Sequence, residues 1–323
     1  MFKQCLKLVI GLAMVATIGL LLAGCTKENP PAPTAPPSAQ NNTPATSAPT
    51  DAPAPTDAPA PATATGPITV VTREDGSGTR GAFVEIADIT IEGNDNITME
   101  AIVAPGTSVM MENVAGNPLS IGYASAGTAL EDDRVSVLRI NGIMPSIDTM
   151  LDGTYVIQRP FIIGYNTNDG LSPLAQDFVD FIFSAQGQAV VSGRGYAPVI
   201  PTGAADYSPG NFSGKIDVNG STSVYSVMEY LSEAYRELNP SVTIDIHGTG
   251  TGAGISAAKD GVTDIAMSSR DIRESELEFL TPMTIAIDGI AVVVNPTNPV
   301  ENMTLDQVRG IFLGEVTRWE DAQ

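Results

Sequence analysis

Between residues 66 and 323 the chain passes repeatedly from a β-branched apolar run, through a few residues of Ser, Thr and Gly, into a helical pattern. That alternation constrains the fold more than any other feature, because strands joined by helices of this kind assemble as layered α/β structure. Strand candidates fall at 68–72, 121–124, 135–140, 155–164, 242–247, 264–267 and 285–294. A helix is expected over 78–89. Ser172-Pro173 reads as an N-cap followed by an N1 proline, with Leu174, Phe178 and Ile182 down one face. Ser223 leads into Val224, Val227, Met228, Leu231, Tyr235 and Leu238, a stripe ended by Asn239-Pro240.

Four short polar segments stand where strands are expected to run into helices: residues 73–79, 219–225 ("NGSTSVY"), 247–254 ("HGTGTGAG") and 267–271 ("MSSRD"). A helix start leaves backbone N–H groups without intrahelical partners at the positive end of the macrodipole, and Ser or Thr hydroxyls add donors there. Plain capping explains any single case. Four in one chain, one of them carrying an arginine suited to an oxyanion, point to an anion site. Competing motifs fail on spacing. "GTGTGAG" has neither the Lys-Ser/Thr of a P-loop nor G-x-G-x-x-G offsets, and the glycines around Ser77 do not form a G-x-S-x-G elbow. His247 is the one histidine and reads as a strand-end residue, packed or partly solvated, so no catalytic residue is assigned. No His/Cys metal set can be built and no cofactor is expected; carboxylate-bound calcium or magnesium stays open.

The front of the chain is of a different kind. Lys3 and Lys7, an apolar run from 8 to 22 and the tetrapeptide Leu22-Ala23-Gly24-Cys25 have the layout of a lipoprotein signal peptide, with Cys25 as the lipidated residue of the mature chain. Cleavage before Cys25 would remove Cys5, the other cysteine, so no disulfide could form within the chain. Residues 26–65, rich in Pro, Ala and Thr, read as an extended disordered tether. The formal charge of −21 argues against nucleic acid and anionic lipid as partners, and requires an anion site to work through local donors.

The blocks "ITVVTREDGSGTRGAF", "GSTSVYSVMEYLSEAYRELNP", "GTGTGAGISAAKDGVTDIAMSSR" and "IAIDGIAVVVNPTNPVENMTLDQVRGIFLGEVTRWED" resemble the phosphate-binding protein of the phosphate-specific ABC importer, and "IGYAS", "RPFIIGYN" and "LAQDFVDFIFSAQGQAVV" are similar to its later blocks. The resemblance covers nearly all of residues 66–323, in a different order. The family's first block, "GSTSVY", follows the connector at 202–214, and "REDGSGTR" stands at the front, so the chain resembles a circular permutant; a fragment of a longer tandem protein is the alternative. The resemblance implies a two-lobed periplasmic-binding-protein fold of type II. One lobe would be 66–150 plus 296–323, the other 151–295, with 155–164 and 285–294 as crossing strands and hinge.

By the same resemblance Arg73 grips the anion; Ser77, Gly78 and Thr79 supply donors at one helix start; Thr222, Ser223, Thr251 and Ser269 supply donors from the opposite lobe. Pairing with Glu74 or Asp75 is the alternative for Arg73, disfavoured because successive strand side chains point to opposite faces. Some members carry an aspartate where this chain has Ser269. Asp288 is therefore expected either to accept the phosphate's proton or to cap the turn before Gly289. Arg270 reaches the anion or, the preferred reading, pairs with Asp271, Asp75 or Glu74. The implied function is an extracytoplasmic, lipid-anchored, monomeric protein that binds inorganic phosphate and delivers it to an ABC permease. Another oxyanion (sulfate, molybdate, tungstate), a surface phosphate-sensing module and a phosphatase are the alternatives, the last needing a nucleophile and metal besides these donors.

Overall fold

The computed structural model describes residues 64–200 and 202–322. The expected signal peptide, Cys25 and nearly all of the expected tether lie outside them. Ala64, at the end of that tether, is buried with the core that follows.

The principal strands are β1 (Thr69–Arg73), β2 (Ile102–Ala104), β3 (Ser120–Ser125), β4 (Gln158–Asn166), β5 (Gly214–Gly220), β6 (Val242–Gly248), β7 (Ile265–Ser268) and β8 (Leu280–Val294). They form one sheet in the order β6-β5-β7-β4-β8-β3-β1-β2. Ser136–Val137 and Ala197–Pro198 each add a short strand to β8. The outer strands at both ends pair parallel, and the middle ones, β7-β4-β8-β3, pair antiparallel. β8 explains the two-part shape. Its first part, Leu280 to Gly289, runs against β4, and its second, Ile290 to Val294, runs against β3.

Helices cover the sheet: α1 (Gly78–Ile86), α2 (Thr107–Gly116), α3 (Pro173–Phe183), α4 (Ala185–Gly193), α5 (Thr222–Leu238), α6 (Thr251–Lys259) and α7 (Leu305–Leu313). α3 begins as its sequence predicts, with Ser172 Oγ accepting the Ala175 N–H and Pro173 in the first turn. α5 begins earlier than expected. Its cap is Ser221, whose hydroxyl accepts the N–H groups of Ser223 and Val224, so Thr222 and Ser223 lie inside the first turn.

Two apolar cores follow the two halves of the sheet. In the first, Phe83 stacks on Tyr123 and Phe312 packs edge-on against Phe83. Phe178, Phe181 and Tyr235 pack edge-on in the second, each such ring contributing roughly 1.5–3 kcal/mol by burial. The seam runs through the crossing strands and not at 150/151 and 295/296. Tyr155, Ile157 and Ile290 to Val294 pack into the first core, while Phe161, Ile163, Ile285 and Ala286 pack into the second. Strands shared by two halves must change cores part-way along, and here they do so between 157 and 161 and between 286 and 290.

The ends of this body meet. Ile68 N–H donates to Thr317 O at 2.8 Å, Trp319 N–H to Gly66 O at 2.9 Å and Gly66 N–H to Glu320 Oε2 at 2.8 Å. Trp319 is fully buried beneath that pairing and donates its indole N–H to Leu119 O. The connector is pinned too: Tyr207 packs edge-on against Phe181 and donates its hydroxyl to Asp177, which also accepts the Tyr235 hydroxyl.

Candidate functional site

Four helices aim their first turns at one place between the halves, α1 and α2 from the first and α5 and α6 from the second. Gly106 and Gly250 precede α2 and α6 with φ of 91° and 97° and strongly extended ψ, backbone that only glycine adopts without strain. In each case a threonine follows at once, Thr107 and Thr251, so its hydroxyl and N–H both face the gap.

The hydroxyls from opposite halves are in contact. Thr79 Oγ1 lies 2.8 Å from Ser223 Oγ, and Thr107 Oγ1 lies 3.3 Å from Thr222 Oγ1 and 3.4 Å from Ser223 Oγ. Ser221 Oγ donates to Ser269 Oγ at 2.8 Å, and the Ser269 N–H donates to Thr251 Oγ1 at 3.3 Å. Gly78 allows the closest approach, since a Cβ there would stand 2.4 Å from Thr251 Oγ1. A backbone bond, Gly252 N–H to Gly76 O at 3.1 Å, closes the contact. All these hydroxyl-bearing residues except Thr222 are buried.

Arg73 brings the positive charge. At the end of β1 it is almost completely buried, donating from Nη2 to Thr222 Oγ1 at 2.9 Å and from Nη1 to Thr107 Oγ1 at 3.4 Å. It also pairs with Glu74 at 2.8 Å through both Nε and Nη2, contrary to the strand-alternation argument. Side chains alternate between faces only inside a strand. β1 ends at Arg73, so Glu74 is free to turn back along the guanidinium. Burial pushes the Glu74 carboxyl up, but the Arg73 hydrogen bonds and the Gly106 N–H prevail and hold it below the usual range.

The other expected residues divide. Ser77 caps α1, its oxygen accepting the Arg80 N–H, which leaves its hydrogen to donate. Arg270 is not in the cluster, and its carboxylate partner is none of the three expected: a bidentate pair with Glu276 at 2.8 and 2.9 Å holds it within its own half, and of Asp271 it meets only the backbone carbonyl, at 2.7 Å. Asp288 is not in the cluster either. It is fully buried in a pair with Arg159, its Oδ2 accepting from Nη2 at 3.1 Å and Nε at 3.3 Å, and its Oδ1 accepting the Ser125 hydroxyl at 2.8 Å. The 267–271 segment does not open a helix; only the four-residue turn Glu274–Leu277 follows it. The fourth helix start is α2, which sequence reading missed. Its signal, Pro105-Gly106-Thr107-Ser108, was present, but β2 before it is three residues long with Ile102 and Val103 exposed, and gives no apolar run to notice. Ser221 and Arg159 were missed as well. His247 is the last residue but one of β6 and is exposed.

A family described as "PBP superfamily domain" matches residues 47–186 and 203–323. The phosphate-binding protein PstS 2 of Streptococcus pneumoniae is 44% identical over 257 residues, 78% of this chain and 87% of that protein. The chain belongs to the PBP superfamily, in the family of phosphate-binding proteins. The crystal structure of a phosphate-binding protein of a phosphate ABC transporter from Streptococcus pneumoniae is 44% identical and superimposes with a TM-score of 0.64, covering 80% of this chain and all of that one. The PstS of Bacillus subtilis is 34% identical over 136 residues, 41% of this chain and 42% of that protein. The two-lobed α/β fold expected from the resemblance is thus the fold of this PBP superfamily member.

Proposed function

We propose that the chain captures inorganic phosphate between its two halves and hands it to an ABC importer. The observation that carries this reading is the convergence of four helix N-termini, their buried hydroxyls and Arg73, drawn from both halves, on one small space. A dianion taken out of water needs an oriented donor for nearly every oxygen lone pair, and the first-turn N–H groups of Gly78, Thr79, Thr107, Thr222 and Thr251 with the adjacent hydroxyls are such donors. Binding of this kind requires no nucleophile, metal or bond cleavage. Calorimetric titration with phosphate and with sulfate tests it: saturable one-to-one phosphate binding is expected, and none would overturn the reading.

Glu74 is the carboxylate in this cluster, and it supplies the selectivity first sought from Asp288. Its Oε2 accepts from Arg73 Nε and from the Gly106 N–H, while Oε1 accepts from Arg73 Nη2 and retains a lone pair on the side facing Gly250. A fixed acceptor favours phosphate, which carries a proton near neutral pH, over sulfate, which does not. Glu74→Gln should narrow the affinity ratio of phosphate to sulfate; an unchanged ratio would remove Glu74 from this role.

Cys25 carries the lipid that holds the protein at the outer membrane face, and among the described residues no helix is long and apolar enough to cross a membrane. The protein works as a monomer. The block order is a circular permutation relative to proteins such as the Bacillus subtilis PstS. Two features support it: the paired ends of the body, and a match to that protein confined to less than half of each chain, as alignment in sequence order gives when blocks are exchanged.

A further inference from the structure

Arg159 and Asp288 face each other in register on the two crossing strands, at the seam where β4 and β8 pass from one core to the other. Both are buried, and replacing such a pair by apolar side chains is often neutral or stabilising, so stability gives no reason for charges here. Their other contacts reach opposite ways. Asp288 is held from the first half by the Ser125 hydroxyl and the Gly127 N–H. Arg159 Nη1 donates at 3.2 Å to the carbonyl of Ser269 in the second half, whose hydroxyl accepts from Ser221 and whose N–H meets Thr251.

We infer that Arg159, clamped by Asp288, is a positioning residue for bound phosphate: it fixes the Ser269 peptide, and with it the adjoining hydroxyls, in the closed arrangement. The inference rests on the phosphate reading above. Hydrogen bonds run unbroken from Ser125 through Asp288 and Arg159 to Ser269, so the bracket spans the seam and its geometry is met only when the halves stand as they do here. The guanidinium makes three of its five possible N–H contacts in this way, and its planar fork, unlike an ammonium, bridges carboxylate and carbonyl at once.

The test replaces both charges together, Arg159→Met with Asp288→Leu, so that neither is left buried without its partner, and measures phosphate affinity at about pH 6 and about pH 8, the range in which phosphate passes from mono- to dianion. Besides Asp288, the titratable or charged groups bearing on Arg159 are Tyr196 and Arg73, and Tyr155 faces Asp288; burial holds both tyrosines protonated far above neutrality. The pH response is therefore that of the ligand. Affinity is expected to fall by at least about tenfold at both pH values, because the pair leaves together with no net loss of charge while the Ser269 carbonyl loses its donor. A folded double variant with parental affinity, or with a loss seen only at the higher pH, the mark of a charge and not of a position, would overturn the inference. Should that variant fail to fold, Arg159→Lys decides: it keeps the charge but not the fork, and unchanged affinity would overturn the positioning role. A parent protein that binds no phosphate would sink the functional reading and this inference with it, whereas a binding parent and an indifferent variant sink this one only.

Discussion

Gly78→Ala isolates the closed arrangement from the stability of the fold. The added methyl would stand 2.4 Å from Thr251 Oγ1, 2.7 Å from Ser269 Oγ and 3.1 Å from Thr251 Cβ. Ordinary contact begins near 3.5 Å, so something must move by about 1 Å. Neither neighbour can swing aside cheaply. Both are fully buried, Thr251 Oγ1 accepts the Ser269 N–H, and Ser269 Oγ accepts from Ser221. Gly78 belongs to the first half and these two to the second, so the least costly relief is a slight opening at the crossing strands. Overpacking of this order costs about 1–3 kcal/mol, and here it falls on the closed form alone. Phosphate affinity should therefore drop by about 5- to 150-fold in calorimetric titration while the ligand-free unfolding midpoint stays at the parental value. Gly254→Ala is the contrast: its methyl would meet Gly220 Cα at 2.4 Å and Asn219 O at 2.5 Å, backbone within one half, and should lower that midpoint. Parental phosphate affinity in Gly78→Ala would refute the claim that these contacts form the binding state.

Thr107→Val removes a hydroxyl that sequence reading overlooked, and should weaken phosphate binding by roughly tenfold where Thr107→Ser does not; equal affinities would place the α2 terminus outside the site. Glu74 and Glu276 both have folded pKa values below the ordinary one, held there by arginine pairing against burial. Their stabilisation is thus present above the ordinary carboxylate range, about pH 4.3, and lost as pH falls through the lower folded values; Glu276→Gln should flatten the acid decline of the unfolding midpoint, and an unaltered slope would contradict it. Tyr207→Phe should destabilise the protein by about 1 kcal/mol, read from denaturant unfolding, by taking the connector's donor from Asp177; no change would show that the connector is not pinned there. Joining residue 322 to Gly66 and opening the chain within 202–213 should give a protein that folds and binds phosphate, and failure to fold would count against a permuted order.

What could be read from the sequence was local. The Ser172-Pro173 start, the stripe from Val224 to Leu238 and the strands at 121–124 and 242–247 follow from periodicity and capping, which depend on near neighbours. The anion loops were legible for the same reason, since Ser, Thr and Gly at a strand end imply exposed N–H groups whatever lies opposite. Pairings between distant residues were not legible. Nothing near Asp288 in the sequence announces Arg159, 129 residues away, and the choice of Glu276 by Arg270 depends on a single turn at 274–277 that no apolar pattern marks. The Arg73–Glu74 pair went astray for a narrower reason: one residue at a strand end decides whether alternation still applies.

The acidity of the chain and the charge of its ligand are reconciled at this site by dipoles and not by excess cations. Arg73 is matched by Glu74, Arg159 by Asp288, Arg270 by Glu276, and Arg80 by Asp95 and Asp75. With each guanidinium answered by a carboxylate, the side chains around the gap add little net charge. Four helix N-termini, at about half an elementary charge each, sum to about two, the size of the dianion's own charge. Charge fixed in backbone dipoles does not titrate, and a site that closes over its ligand screens them little. A net charge of −21 then slows the approach of an anion from a distance, yet it leaves the bound state nearly untouched, because the groups that hold the ligand are N–H and O–H donors within hydrogen-bonding reach, aimed by the fold itself.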